Sequence, residues 1–160
     1  MENDKLKIRE ASESDCEEIG KLYFDTVTAI NSKDYTKREI EVWAASGKKY
    51  DIWKKKISEQ YFLVAEIDGT IAGIGSIAKD GYLDYMYVHK DHQRKGIASA
   101  LLKEIEQKAN EQKNPEIWAY VSITANPFFE KNGYVFSGEK IITNQGVDFV
   151  DRIMKKKLDH

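Results

Sequence analysis

The stretch that most restricts the fold is LDYMYV, followed by the loop HKDHQRKG, then IASALLKEIEQKANEQ, then EIWAYVS. β-Branched and aromatic residues mark the outer pieces as strands. Ile97, Leu101, Ile105 and Ala109 fall on one stripe of the helix between them. Parallel neighbours need such a helical crossover, which is right-handed, so the order strand, helix, strand reads as a β-α-β unit with one parallel pair. Asn114-Pro115 ends the helix, because the residue before a proline is pushed out of the α region.

The flanking sequence supplies antiparallel partners. YFLVAEI and TIAGIGSIA are joined by Asp68-Gly69, the strongest two-residue hairpin signal, and Lys79-Asp80-Gly81 turns the chain into LDYMYV as the third strand of a meander. YVFSGEKII and VDFVDRIMKKKL, joined through Asn144-Gln145-Gly146, form a closing hairpin. Ahead of the meander the periodicity is helical, after a short alternating start LKIREA. Ser14 with Glu17 predicts a capping box for a helix to about Ala29, with Ile19, Leu22, Tyr23, Thr26 and Val27 on one face. Thr36 with Glu39 repeats the box before Ile40 and Trp43, and DIWKKKI reads as another helical piece. Asn126-Pro127 opens a short helix that Gly133 stops. The expected class is α+β, a mixed and mostly antiparallel sheet with one parallel strand pair, flanked by helices. With no linker, repeat or low-complexity tract, residues 1–160 read as a single domain.

Charge and cysteine content exclude several functions. Lys and Arg number 25 against 27 Asp and Glu, so the net charge of −2 offers no global field for nucleic acid. The single cysteine, Cys16, forbids an internal disulfide and a Cys-rich zinc site, which fits a reducing cytoplasm. No apolar run is long enough to span a membrane, and the polar start MENDKLKIRE lacks a signal-peptide core, so no membrane association is expected.

Chemistry concentrates where strand meets helix, at Gln93-Arg94-Lys95-Gly96-Ile97-Ala98. A helix N-terminus leaves backbone N–H groups unpaired and carries a partial positive charge, so a loop wrapping into it holds an anion such as a phosphate. Gly96 permits close approach, small Ala98 and Ser99 leave it open, and Lys90, Arg94 and Lys95 add local charge. An ordinary strand-to-helix loop with solvated basic residues is the alternative that these residues alone leave open.

LDYMYVHKDHQRKGIASALLKEIE resembles the acetyl-CoA-binding core of the GNAT superfamily of N-acetyltransferases, whose signature (Q/R)-x-x-G-x-(G/A) follows the fourth strand; Gln93, Gly96 and Ala98 match it. The likeness extends to VAEIDGTIAGIGSIA, similar to the second and third strands, and to EIWAYVSITANPFFEKNGY, similar to the fifth strand and the next helix. It implies that the parallel strands splay at a bulge in the fourth, with the pantetheine arm of acetyl-CoA in the gap. Backbone groups of Met86 and Val88 would hold that arm, and an amide within Met86, Tyr87 and Val88 would polarise the thioester carbonyl. The diphosphate would sit on the amides of Arg94, Lys95, Gly96, Ile97, Ala98 and Ser99, and Asn126 would bond the pantetheine.

The implied activity is acetyl transfer from acetyl-CoA to a primary amine, of a small molecule or a protein, directly within a ternary complex. Asp84, the only carboxylate on the fourth strand, is the candidate base. Tyr82 stands where the family often has Glu and is the alternative, orienting a water. Strand alternation puts Tyr82, Asp84, Met86 and Val88 on one face and Leu83, Tyr85 and Tyr87 on the other. Phe129, at the sulfur end of the cofactor site, replaces the Tyr that serves many members as proton donor; Tyr134 falls where Phe is usual and reads as core. The missing hydroxyl leaves a non-catalytic CoA-binding sensor or scaffold as the competing function.

Other signals carry less. Gly73-Ile74-Gly75-Ser76-Ile77-Ala78 has the spacing of a dinucleotide fingerprint but lies inside a strand. His89 and His92 lack partners at ligand spacing, so no metal is expected, and Cys16 reads as a structural thiol. Lys155-Lys156-Lys157 reads as a solvated end. Tyr23, Tyr35, Trp43, Tyr50 and Trp53 read mostly as core, with one or two facing the acceptor. TKREIEVWAASGKKYDIW resembles a bacterial GNAT subgroup of mostly unassigned substrate and names no acceptor; monomer and homodimer are equally compatible with the sequence.

Overall fold

The computed structural model describes residues 5–159. In chain order the elements are β1 (Leu6–Glu10), α1 (Cys16–Ala29), α2 (Lys37–Ala45), α3 (Tyr50–Glu59), β2 (Tyr61–Ile67), β3 (Thr70–Ile77), β4 (Leu83–Val88), α4 (Ile97–Glu111), β5 (Glu116–Val121), α5 (Asn126–Lys131), β6 (Val135–Asn144) and β7 (Val147–Lys157). The class is α+β, antiparallel sheets flanked by helices.

The strands form two sheets, β1-β2-β3-β4 and β5-β7-β6, each antiparallel throughout. The expected parallel pair is reduced to a single bridge, Tyr82 to Trp118, where the Trp118 amide donates to the Gly81 carbonyl at 3.1 Å. Beyond it β4 and β5 make no ladder, and a cleft opens between them.

β2 is a continuous apolar run because both of its faces are covered. Leu63 and Ala65 pack toward α4, while Phe62 and Val64 pack toward α1 and α3 with Trp53. The Gly-x-Gly of β3 is a packing device: a Cβ on Gly73 would lie 2.9 Å from Ile97 Cγ2, and one on Gly75 the same distance from Ile105 Cδ1. Those glycines let α4 press against the sheet, which positions its N-terminus beside the end of β4. On the opposite face α1 meets the turn after α2 more closely still, since a Cβ on Gly20 would clash with the Gly47 carbonyl.

Three local expectations are corrected. The cap before α1 is Ser12 with Asp15 rather than Ser14 with Glu17: the Ser12 amide donates to Asp15 Oδ2 at 2.8 Å. Arg9 on β1 selects that register, because its guanidinium grips both Asp15 oxygens at 2.8 and 2.9 Å and also Glu66 at 3.0 Å. The alternation along β4 breaks at Asp84, since Leu83 pairs with Ile77 and Tyr85 with Ser76, leaving Asp84 as the extra residue of a bulge. Leu83 therefore packs on the α4 side with Met86 and Val88, and Tyr85 and Tyr87 on the other. The lysine run is not simply solvated, as Lys156 meets Glu106 at 3.1 Å and Lys155 meets Glu116 at 3.6 Å.

Candidate active site

The gap between β4 and β5 widens into a cleft of about 450 Å³ that continues beneath the β6–β7 hairpin. β4 is the edge strand of its sheet, and ladder parity decides which of its backbone groups reach the cleft. The Tyr85 amide donates to Ser76 Oγ at 3.2 Å and the His89 amide to the Ala72 carbonyl at 2.8 Å, both toward β3. The backbone groups of Met86 and Val88 consequently turn the other way, into the gap. The Val88 carbonyl already accepts from the Gln93 side chain, with Thr26 Oγ1 3.5 Å away. Gln93 also reaches the His89 carbonyl at 3.3 Å, so this signature residue ties the loop to the strand end.

At the mouth of the gap Arg94 and Gly96 take left-handed backbone conformations, with φ of 63° and 79°. Gly96 is the N-cap of α4, and a Cβ there would meet nothing within 4 Å. The first helical bond runs from the Ala100 amide to the Gly96 carbonyl, leaving the amides of Ile97, Ala98 and Ser99 as helix-end donors. Arg94, Lys95 and Ser99 are exposed, and Ala98 lines the cleft. Open space above Gly96, free amides below it and the inward backbone of Met86 and Val88 fit a diphosphate with an extended amide-bearing arm.

Asp84 and Tyr82 come together at the cleft floor. Asp84 Oδ2 accepts from Lys56 Nζ and Gln60 Nε2, both at 2.8 Å, so the carboxylate is held by the end of α3 and the residue after it. Burial raises the Tyr82 phenol, and the neighbouring Asp84 charge and hydrogen bond raise it further, so it stays protonated. Its ring stacks on Trp118 with centroids 4.5 Å apart, at the single bridge joining the sheets. Tyr87 turns its side chain away from the gap, edge-on to Tyr23 at 4.9 Å. Phe129 is buried at the cleft wall against Phe128 and Tyr134. The Tyr134 hydroxyl donates to Glu106 at 2.9 Å within the core, away from any reaction centre.

Asn126 is not among the residues lining the cleft: its Oδ1 accepts from Arg152 Nε at 2.8 Å and its Nδ2 donates to Glu130 at 3.0 Å. Several lining residues escaped the sequence reading, Asp151 and Phe149 among them. Asp151 and Phe149, on one face of β7, point into the cleft beside Trp43 of α2, while Arg152 and Met154 face the opposite way. Burial alone raises the Asp151 carboxyl above the ordinary carboxylate range. The signal was the V-D-F-V-D-R-I-M alternation, which mixes charged and apolar residues on both faces and so hides the cleft side. Of the N-terminal aromatics, Trp53 is core, Tyr50 is exposed, Tyr23 is buried and also lines the cleft, and Trp43 reaches the cleft, edge-on to Tyr35 at 5.1 Å and to Phe149 at 6.2 Å.

An N-acetyltransferase of Escherichia coli K12, YafP, described as uncharacterized, is 28% identical over 155 residues, covering 97% of this chain and 98% of that one. A GCN5-related N-acetyltransferase structure from Rhodopseudomonas palustris superposes with a TM-score of 0.92 at 22% identity, covering 96% of each chain. The PaiA N-acetyltransferase of Thermoplasma acidophilum, solved with coenzyme A, superposes at 0.80 with 24% identity, covering 96% of this chain and 99% of that one. Residues 31–158 match the acetyltransferase (GNAT) domain, and the chain belongs to that family as an N-acetyltransferase.

Proposed function

We propose that the protein transfers the acetyl group of acetyl-CoA directly to a primary amine bound in the same cleft. The observation that carries this reading is the continuity of one channel from the free amides of α4, past the inward backbone of Met86 and Val88, to the carboxylate-bearing bulge of β4. The amides of Arg94 to Ser99 and the positive end of α4 receive the diphosphate. Backbone groups of Met86 and Val88 pair with the amides of the pantetheine arm, and an amide within residues 86–88 donates to the thioester oxygen as charge builds there. Asn126 joins this set on exchanging Arg152 for the pantetheine.

Asp84 accepts the proton that the amine must lose, through a water or directly, while Lys56 and Gln60 fix the carboxylate from behind. Tyr82, with its hydroxyl proton retained, orients that water. Phe129 lines the sulfur end without a proton to give, and the raised phenol of Tyr82 is a poor acid, so the departing thiolate takes its proton from solvent or from the new ammonium nitrogen. The experiment is release of free thiol from acetyl-CoA across a panel of primary amines, beside a calorimetric titration of CoA. CoA binding with amine-dependent thiol release is the expected result; CoA binding without release from any amine reduces the protein to a CoA-binding module.

A further inference from the structure

Resting on the transfer reading above, we propose that Asp151 receives the acceptor as its ammonium form, before the proton passes to Asp84 in the same cleft and frees the nitrogen to attack, and that Trp43 and Phe149 enclose its body, so the acceptor is a primary amine bearing one positive charge on a flat apolar group.

Among the described residues two carboxylates line the cleft, and Asp84 is already matched by Lys56. Asp151 has no hydrogen-bond or ion-pair partner among the described residues. Lys140 lies directly across the β6–β7 ladder, but it is exposed and makes no ion pair with Asp151. Tyr35 and Tyr82 are the other ionisable groups close enough to feel the Asp151 charge, and both are neutral phenols. A half-buried carboxylate without a partner carries a desolvation cost that an incoming ammonium relieves.

Among the described residues no lysine or arginine lines the cleft, so an acceptor bearing its own carboxylate or phosphate finds no counter-ion there. A polyamine fares poorly too, because its second and third ammonium groups would be stripped of water against Ile30, Ile142 and Phe149. What the walls offer is aromatic: Trp43 stands between Tyr35 and Phe149, and Phe149 faces Ile142 across the ladder. Flat rings pack edge-on in such a slot, and their faces also attract a nearby cation.

The wall facing the hairpin is fixed from the other side of the cleft. The Ile123 amide donates to the Tyr35 hydroxyl at 2.9 Å, and Thr124 Oγ1 lies 2.7 Å from Asp34. These contacts hold the segment between α1 and α2 against the loop after β5, which keeps Trp43 in place.

The test measures acetyl transfer at saturating acetyl-CoA to 2-phenylethylamine, spermidine and glutamate, for the full chain and for Asp151→Asn and Asp151→Glu. 2-Phenylethylamine should exceed the other two in kcat/KM by roughly tenfold or more. Asp151→Asn should raise its KM by a similar factor while kcat changes less and CoA affinity is unchanged, and Asp151→Glu should recover part of the loss. Trp43→Leu should raise the KM for 2-phenylethylamine but not for ethylamine. Preference for spermidine or glutamate, or an unaltered KM in Asp151→Asn, overturns the acceptor assignment and leaves acetyl transfer standing. Absence of transfer to every amine while CoA still binds overturns the transfer reading itself.

Discussion

Lys56 Nζ sits 2.8 Å from Asp84 Oδ2, joining helix α3 to the bulge of β4, and the Asp84 side chain is only 11% exposed. Asp84→Asn therefore has two effects, loss of a basic oxygen and stranding of a lysine. Stability should fall by about 1–3 kcal/mol and turnover by roughly a hundredfold, with CoA affinity near wild type. Lys56→Gln combined with Asp84→Asn separates the two, since it removes both charges together. The double variant should regain most of the melting temperature and none of the turnover. Recovery of turnover would confine Asp84 to a structural role.

At the cofactor end, Gly96→Glu introduces a negative side chain into open space, so the fold bears only the strain of a non-glycine residue at φ 79°, about 1 kcal/mol. Calorimetry should show most of the CoA affinity gone while circular dichroism stays native. Arg94→Ala and Lys95→Ala should each weaken CoA by only roughly three- to tenfold, because backbone amides do much of the holding, and the effect should shrink in high salt. An effect that grew with salt would contradict the electrostatic assignment.

The pH dependence of stability carries the signature of Asp151. Its carboxyl is raised in the folded protein, so the charged form is disfavoured there; the cost is absent below the ordinary carboxylate range, grows as pH rises through the raised value and is complete above it. Lys140, Tyr35 and Tyr82 do not offset it. Asp151→Asn should thus melt higher than wild type at neutral pH, with the gap closing toward about pH 3. Equal melting temperatures at neutral pH would mean that Asp151 has a partner in solution.

Much of this arrangement is legible in the sequence where local chemistry decides it. Thr36 and Glu39 cap α2 at 2.8 and 3.1 Å because the box needs only neighbouring residues. Asp68-Gly69 and Gln145-Gly146 turn hairpins with positive φ at both positions, and the stripe of Ile97, Leu101, Ile105 and Ala109 is fully buried. Tertiary partners decide the rest. Arg9 moves the first cap to Ser12, and stacking of Tyr82 on Trp118 marks the one bridge between the two sheets, beyond which no backbone ladder joins β4 to β5 among the described residues. The Asp84 bulge inverts the faces that strict alternation assigns, and Asp151 lines the cleft from β7, whose two faces are equally mixed in sequence.

Packing on the helical side gives a prediction independent of chemistry. A methyl group at Gly20 would stand 2.3 Å from the Gly47 carbonyl and 3.1 Å from Trp53 Nε1, which itself donates to that carbonyl at 3.2 Å. Gly20→Ala should cost about 1–3 kcal/mol by forcing α1 off the turn after α2. Denaturant unfolding with an unchanged midpoint would contradict the packing described here.

Direct transfer, without an acetylated protein intermediate, is tested by following a labelled acetyl group. The lone thiol, Cys16, is 1% exposed and raised by burial, so it is poorly placed to attack a thioester. Acetyl-labelled acetyl-CoA is incubated with the protein, with and without a competent primary amine, and the quenched protein and amine are counted separately. Label should appear on the amine in equal amount to released thiol, and on the protein in neither case. Label on the protein in the absence of amine, passing to the amine when it is added, would contradict direct transfer.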